Sequence, residues 1–166
     1  HGEPGHGGCW GNNGAAYAEM LRVAYRAIKS ADSEARVTFP PVAYDRFWNA
    51  PDWYYNPPVY GPEGPFNYNF VGDVLGYLYT NYHSEPDFPF FDVMNFHYYN
   101  DFRNAWDGAS LPYEQEILGK IKYLRDEELA SYGLEDKPFM CSEVGVGSAP
   151  TDQWTERSEE LQSMYV

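Results

Sequence analysis

Two cysteines in 166 residues, Cys9 and Cys141, are too few and too far apart for a zinc site or a redox pair. Two such residues do not by themselves argue a disulfide, so free thiols are expected. Cationic side chains are scarce too: 11 Lys and Arg stand against 25 Asp and Glu, a formal charge of -14. A chain of that charge repels phosphate backbones, which excludes nucleic acid as a partner and leaves neutral or cationic ones. Long hydrophobic runs are missing, and no segment has the length of a membrane span. Neither G-x-G-x-x-G nor a phosphate-binding loop follows any strand-like segment, so nucleotide-type doubly wound folds lose support.

What the sequence does have is aromatic surface. Sixteen Tyr, ten Phe and five Trp make up 19% of the chain, and the length suffices for one domain with a sizeable core. Helical and strand-like segments alternate. Gly14 to Ser30 carries Tyr17, Leu21, Ala24 and Ile28 at helical spacing, with Asn13 placed to cap the first turn. Arg36 to Phe39 reads as a short strand stopped by Pro40-Pro41. Phe70 to Tyr82 is helical, with Val71, Val74, Leu78 and Tyr82 on one face. Phe91 to Tyr98 is a second strand, Tyr113 to Leu129 a third helix with Ile117, Ile121 and Leu124 inward, Pro138 to Ser142 a third strand, and Glu156 onward a fourth helix.

Strict alternation predicts an α/β fold with parallel strands joined by right-handed crossovers. The near-continuous apolar character of F-D-V-M-N-F and P-F-M-C suits strands covered on both faces. A doubly wound sheet and a (β/α)8 barrel share this pattern. A whole barrel takes about 250 residues, so the barrel reading makes residues 1–166 one partial catalytic domain. The chain starts at His1 with no initiator Met or signal peptide, and it stops within the helical pattern of Leu161 to Val166. Both ends read as those of a fragment, with the missing strands supplied by the rest of a longer chain.

The stretch from Tyr44 to Phe70 breaks the rhythm. It is too long for an ordinary connection and too aromatic for disorder. Its rings form either a self-packed satellite core or a platform on which a flat ligand face stacks, and composition leaves both open.

In a barrel, chemistry sits at the C-terminal ends of the strands. The strand ends present here carry Glu3 in H-G-E-P-G, His97 and Tyr99 in F-H-Y-Y-N, and Glu143 in C-S-E-V-G. Two carboxylates with an imidazole and a phenol are the inventory of a retaining glycosidase. One carboxylate attacks the anomeric carbon; the other protonates the leaving oxygen and later activates water, which requires about 5–5.5 Å between them. The phenol and imidazole can orient the nucleophile and stabilise its charge.

These residues carry a resemblance. The run from G-E-P through C-W-G-N-N-G-A-A-Y-A-E-M-L-R-V-A-Y-R-A-I-K-S-A-D-S-E-A-R-V resembles the fourth strand, loop and helix of clan A glycoside hydrolases, family 39 and its relatives above all. F-D-V-M-N-F-H-Y-Y is similar to the clan's sixth strand, which ends on H-x-Y. K-P-F-M-C-S-E-V-G is similar to its seventh, which ends on the nucleophile. The resemblance runs from the end of strand four to the start of helix seven. It implies a TIM-barrel hydrolase of a β-linked glycan, with Glu143 as nucleophile, Glu3 as acid/base, and His97 and Tyr99 as supporting donors. Trp10, Trp48 and Trp53 would be sugar platforms, with no metal or organic cofactor. An oligosaccharide or polysaccharide substrate in turn implies a secreted, extracellular protein. One position departs from the clan: the Asn that precedes the acid/base and bonds the sugar 2-hydroxyl is here Gly2.

The alternative is a non-catalytic carbohydrate-binding or structural protein on the same scaffold, in which Gly2 and the ring-rich loop mark a cleft that holds glycans uncut. A metal-dependent hydrolase would need ligands from His1, His6, His83 and His97, of which only the first two lie close in sequence.

Overall fold

The computed structural model describes residues 13–41, 69–99, 115, 117–145 and 158–163. In chain order these form α1 (Gly14–Ala31), α2 (Phe70–Tyr82), β1 (Met94–Tyr99), α3 (Ile117–Tyr123), β2 (Phe139–Gly145) and α4 (Glu159–Ser163). The aromatic loop up to residue 68, with Trp48 and Trp53, lies outside the described residues, as do Glu3 and Trp10.

The fold is mixed α/β around parallel strands. β1 and β2 pair in parallel, and on the other side of β1 a single parallel bridge joins Thr38 to Val93. The strand expected over Arg36 to Phe39 is reduced to that bridge, held by Phe39 N–H to Val93 O at 2.9 Å and Asp92 N–H to Val37 O at 2.7 Å. The three parallel segments thus neighbour one another in chain order. Among the described residues they close no ring.

Helices cover one face of these strands. α1 begins where Asn13 Oδ1 accepts the Ala16 N–H at 2.9 Å, satisfying a first-turn donor that the helix itself cannot. It buries Tyr17, Ala18 and Leu21 against α2, which buries Phe70, Val71, Val74, Leu75 and Leu78. Phe39, Phe91, Met94, Phe96 and Tyr98 meet these side chains from the strand side in one core. The apolar stripe of α1 does not stay inward to its end. Ile28 is 40% exposed, and Tyr25 takes the inner position, edge-on to Phe90 at 6.1 Å. Polar contacts beside the buried stripe also tie the two helices. Glu19 accepts from Tyr77 Oη at 3.0 Å and from Tyr82 Oη, and pairs with Arg22 at 3.1 Å. The Tyr82 bond foremost, with those of Tyr77 and Arg22, holds the Glu19 carboxyl below its usual range despite partial burial.

The third helix departs from the expected single α-helix. α3 runs into a π-helical turn, Leu124–Leu129, and a 3-10 turn, Ala130–Tyr132, and ends on Gly133 at φ 70°. With i→i+5 bonding, residues five apart come onto one side. Leu124 and Leu129 are both fully buried as a result. β2 also differs from expectation. It extends past Ser142 to Gly145, and it is not covered on both faces, since Met140 and Val144 are 40% and 56% exposed. The reason is its place in the sheet: among the described residues, β1 is its hydrogen-bonded neighbour and its other edge carries none.

Asp92 pins the N-terminal ends of the strands. Its Oδ2 accepts from Val37 N–H at 2.8 Å and Lys29 Nζ at 2.9 Å, and Tyr25 Oη donates to Oδ1 at 3.4 Å. Burial pushes this carboxyl up, but the Val37 and Lys29 bonds and the charges of Lys29 and Lys137 outweigh it, leaving it below its ordinary value. A depressed folded-state value stabilises the fold above the unfolded carboxyl range, about 3.9, and is lost as pH falls through the folded value. Asp92→Asn is therefore expected to destabilise the protein at neutral pH, with the gap to wild type narrowing below about pH 4. Urea unfolding over a pH series reads this, and a gap that stays constant down to about pH 2 would contradict the role given to Asp92.

Candidate functional site

The site forms where the C-terminal halves of β1 and β2 lie side by side. Side chains on β1 alternate between the helix layer and the opposite face. Phe96 belongs to the helix side: its ring lies 6.3 Å from that of Phe139 and 5.9 Å from Lys120 Nζ of α3. Asn95, His97 and Tyr99 therefore share the opposite face.

Register decides which β2 residues join them. Met94 pairs with Phe139, Asn95 with Met140 and Phe96 with Cys141, after which the register shifts and His97 pairs with Glu143. Ser142 is the extra residue of a β-bulge. By simple alternation Glu143 would point the same way as Phe139 and Cys141, into the helix layer. One inserted residue reverses that and carries Glu143 to the face of His97 and Tyr99.

There the three groups converge. Tyr99 Oη donates to Glu143 Oε1, and His97 Nδ1 stands 3.5 Å from Glu143 Oε2, an ion pair whenever the imidazole is protonated. His97 is 9% exposed and the carboxylate 52% exposed, so the carboxylate is reachable while its partners are set in the wall. Cys141, two residues earlier, is a different kind of group. Burial pushes its thiol up, which disfavours the thiolate, and Sγ donates to the Glu143 carbonyl at 3.1 Å.

Two further residues support this geometry. Lys120, only 1% exposed, donates from Nζ to the His97 carbonyl at 2.9 Å. It fixes β1 from the helix side at the level of the site. A charged residue inside the apolar spacing Ile117, Ile121, Leu124 was the available signal for it. Asn95 is buried one alternation below His97, and its Oδ1 has no hydrogen-bond partner among the described residues.

Of the expected site residues, His97, Tyr99 and Glu143 are thus brought together, and Glu3, Trp10, Trp48 and Trp53 lie outside the described residues. Among the described residues, no three or more His, Cys, Asp and Glu side chains are grouped to hold a metal ion, and no helix is long and apolar enough to cross a membrane. An open depression lined by Lys29, Arg36, Asp92 and Lys137 sits at the opposite, N-terminal ends of the strands. Two of its cations are already engaged, Lys29 by Asp92 and the Ala35 carbonyl, Lys137 by the Phe91 carbonyl. What the Glu143 cluster offers chemically is one accessible, oriented carboxylate. No family model matches the chain, and no curated protein and no solved structure matches it either.

Proposed function

We propose that this chain is part of a (β/α)8-barrel glycoside hydrolase of the clan A type, a retaining enzyme that cleaves a β-linked glycan with two glutamates. One observation carries the reading: a reachable carboxylate, Glu143, holds a phenol and an imidazole from the adjacent parallel strand. That is the arrangement a carboxylate nucleophile needs, rigidly mounted and with its charge met by fixed donors. Parallel segments adjacent in chain order, with helices packed over one face, support a barrel wall over a sheet whose order reverses. The remaining strands come from the rest of a longer chain.

In the first step a Glu143 oxygen attacks the anomeric carbon while the bond to the leaving oxygen breaks, and Glu3 gives that oxygen its proton. In the second, Glu3 takes a proton from water, which displaces Glu143 from the sugar. Tyr99 and His97 hold the carboxylate through both. Trp10, Trp48 and Trp53 present flat faces to the axial C–H groups of the sugars, and no cofactor takes part. Gly2 favours the second reading, a glycan-binding protein that does not cut, because the donor that strengthens contact with the sugar 2-hydroxyl in the transition state is missing there.

Hydrolysis of aryl β-glycosides by the full-length protein separates the two. The enzyme reading expects phenol release. It also expects Glu3→Gln to spare kcat/KM, which reads the first step, for substrates whose leaving group departs without a proton, while lowering kcat/KM for a natural oligosaccharide by about 10²-fold or more. Equal losses on both substrates would remove Glu3 from the acid/base role, and no release by wild type from any aryl glycoside would leave the binding reading.

A further inference from the structure

Gly145 closes β2 and pairs with Tyr99, the last residue of β1. A Cβ built on Gly145 would lie 2.9 Å from Tyr99 Cε1 and 3.1 Å from Cδ1, closer than side chains approach one another. Its φ is not in the left-handed region, so glycine is needed here for space and not for backbone conformation. Both clashing atoms belong to one edge of the Tyr99 ring. A swing about χ1 clears the added methyl, and Oη, at the far end of that lever, moves the most; a turn about χ2 alone leaves Oη on its axis, and a Gly145→Ala variant at wild-type rate is what that outcome would give. Oη is the atom bonded to Glu143, and a hydrogen bond weakens steeply once distance or angle departs from its narrow range.

We propose that Gly145 is a positioning residue: the volume left by its missing side chain is the slot that holds Tyr99 against Glu143. As a statement about catalysis this rests on the glycosidase reading above; as a statement about Tyr99 it stands on the geometry alone.

The test is a double-mutant cycle in the full-length protein with Gly145→Ala, Tyr99→Phe and both together, read by kcat and KM on an aryl β-glycoside. Gly145→Ala is expected to lower kcat about as much as Tyr99→Phe, on the order of 10²-fold, with KM within about threefold of wild type. The double variant should be no slower than Tyr99→Phe alone, because the bond that Gly145 protects is already gone. A double variant slowed by the product of the two single effects, or a Gly145→Ala variant at wild-type rate, overturns the proposal.

A second readout does not depend on turnover: the 13Cζ resonance of Tyr99 in tyrosine-labelled protein, assigned by its loss in Tyr99→Phe. In Gly145→Ala it should move in the same direction as in Glu143→Ala, which removes the acceptor. If wild type hydrolyses nothing, the glycosidase reading fails, yet an unmoved resonance would separately reject Gly145 as the residue that places Tyr99. Should Gly145→Ala unfold the chain, Gly145→Ala with Tyr99→Ser decides. With the ring removed the double variant should fold and melt at the Tyr99→Ser temperature, and failure to do so places the clash elsewhere.

Discussion

Glu143→Gln is expected to cut turnover of both an activated aryl glycoside and a natural oligosaccharide by on the order of 10⁴-fold or more, while the folded state survives nearly unchanged. The two halves of that expectation come from different features of the site. The carboxylate is half-exposed, so replacing it by an amide of the same size removes no buried charge and opens no cavity. The amide oxygen still accepts the Tyr99 bond, and the strand pairing around residue 143 does not involve the side chain. Chemistry does not survive the exchange. An amide is too weak a nucleophile to form the glycosyl-enzyme bond, and no other described carboxylate stands on that face to replace it. The contrast with Glu3→Gln, which spares kcat/KM on activated substrates, keeps this from being a generic loss. Melting temperature and glycan binding should stay close to wild type. If Glu143→Gln hydrolyses both substrates at wild-type rates, Glu143 is an ordinary strand carboxylate and the enzyme reading falls with it.

The helices that pack on their own account were legible residue by residue. α2 occupies the residues its apolar spacing marks, Phe70 to Tyr82, and α1 starts at the Asn13 cap. In both, a local signal and a core-facing stripe agree, and agreement between levels is what makes a segment readable. The departures occur where tertiary packing chooses between near-equal local options. Ile28 yields its inward place to Tyr25 because the Phe90 ring stands where Tyr25 reaches it edge-on. After Tyr123 the helix widens into a π turn that buries both Leu124 and Leu129; nothing in a periodic pattern marks that inserted residue. The expected strand at Arg36 to Phe39 is a real neighbour of β1, but its pairing is a single bridge next to Pro40, since a proline cannot donate to the ladder.

The site was legible as an order of residue types and illegible as a geometry. H-x-Y on one strand and a glutamate on the next identify the three groups, because an alternation of two places His97 and Tyr99 on one face. The same rule applied to β2 puts Glu143 with Phe139 and Cys141, on the wrong face. Placing it with His97 requires knowing that Ser142 bulges, a fact of pairing between two strands some forty residues apart. Lys120 and Gly145 share that character. Each is an ordinary residue in its own segment, and each acquires a role from what the fold lays against it, a carbonyl at 2.9 Å in one case and a ring edge in the other.

Deleting Ser142, by the same register, should leave Glu143 where it works. The deletion joins Cys141 directly to Glu143, and plain alternation then puts Glu143 on the face opposite Cys141, with the pairs Phe96–Cys141 and His97–Glu143 kept. The deletion variant should therefore retain turnover within about tenfold of wild type, the loss coming from the local twist that a bulge adds. What misplaces the carboxylate is a regular strand with Ser142 still in it. Glu143 would then follow the alternation of Phe139 and Cys141, and its charge would enter a wall built of Phe96, Tyr98 and the α3 side chains. Lys120 lies on that side, but its ammonium is already committed to the His97 carbonyl. Burying a carboxylate without a matched partner costs several kcal/mol, which favours the bulge whenever residue 142 is present. Ser142→Gly is the control that separates the residue count from the side chain. It keeps the bulge and removes the hydroxyl, and it should retain activity within a few-fold of wild type. The measurements are kcat/KM on an aryl β-glycoside and urea unfolding for the deletion and for the control. If the folded deletion variant loses turnover on the order of 10³-fold or more, residue count does not aim Glu143 and the register argument is wrong. If Ser142→Gly is as impaired, the serine side chain acts.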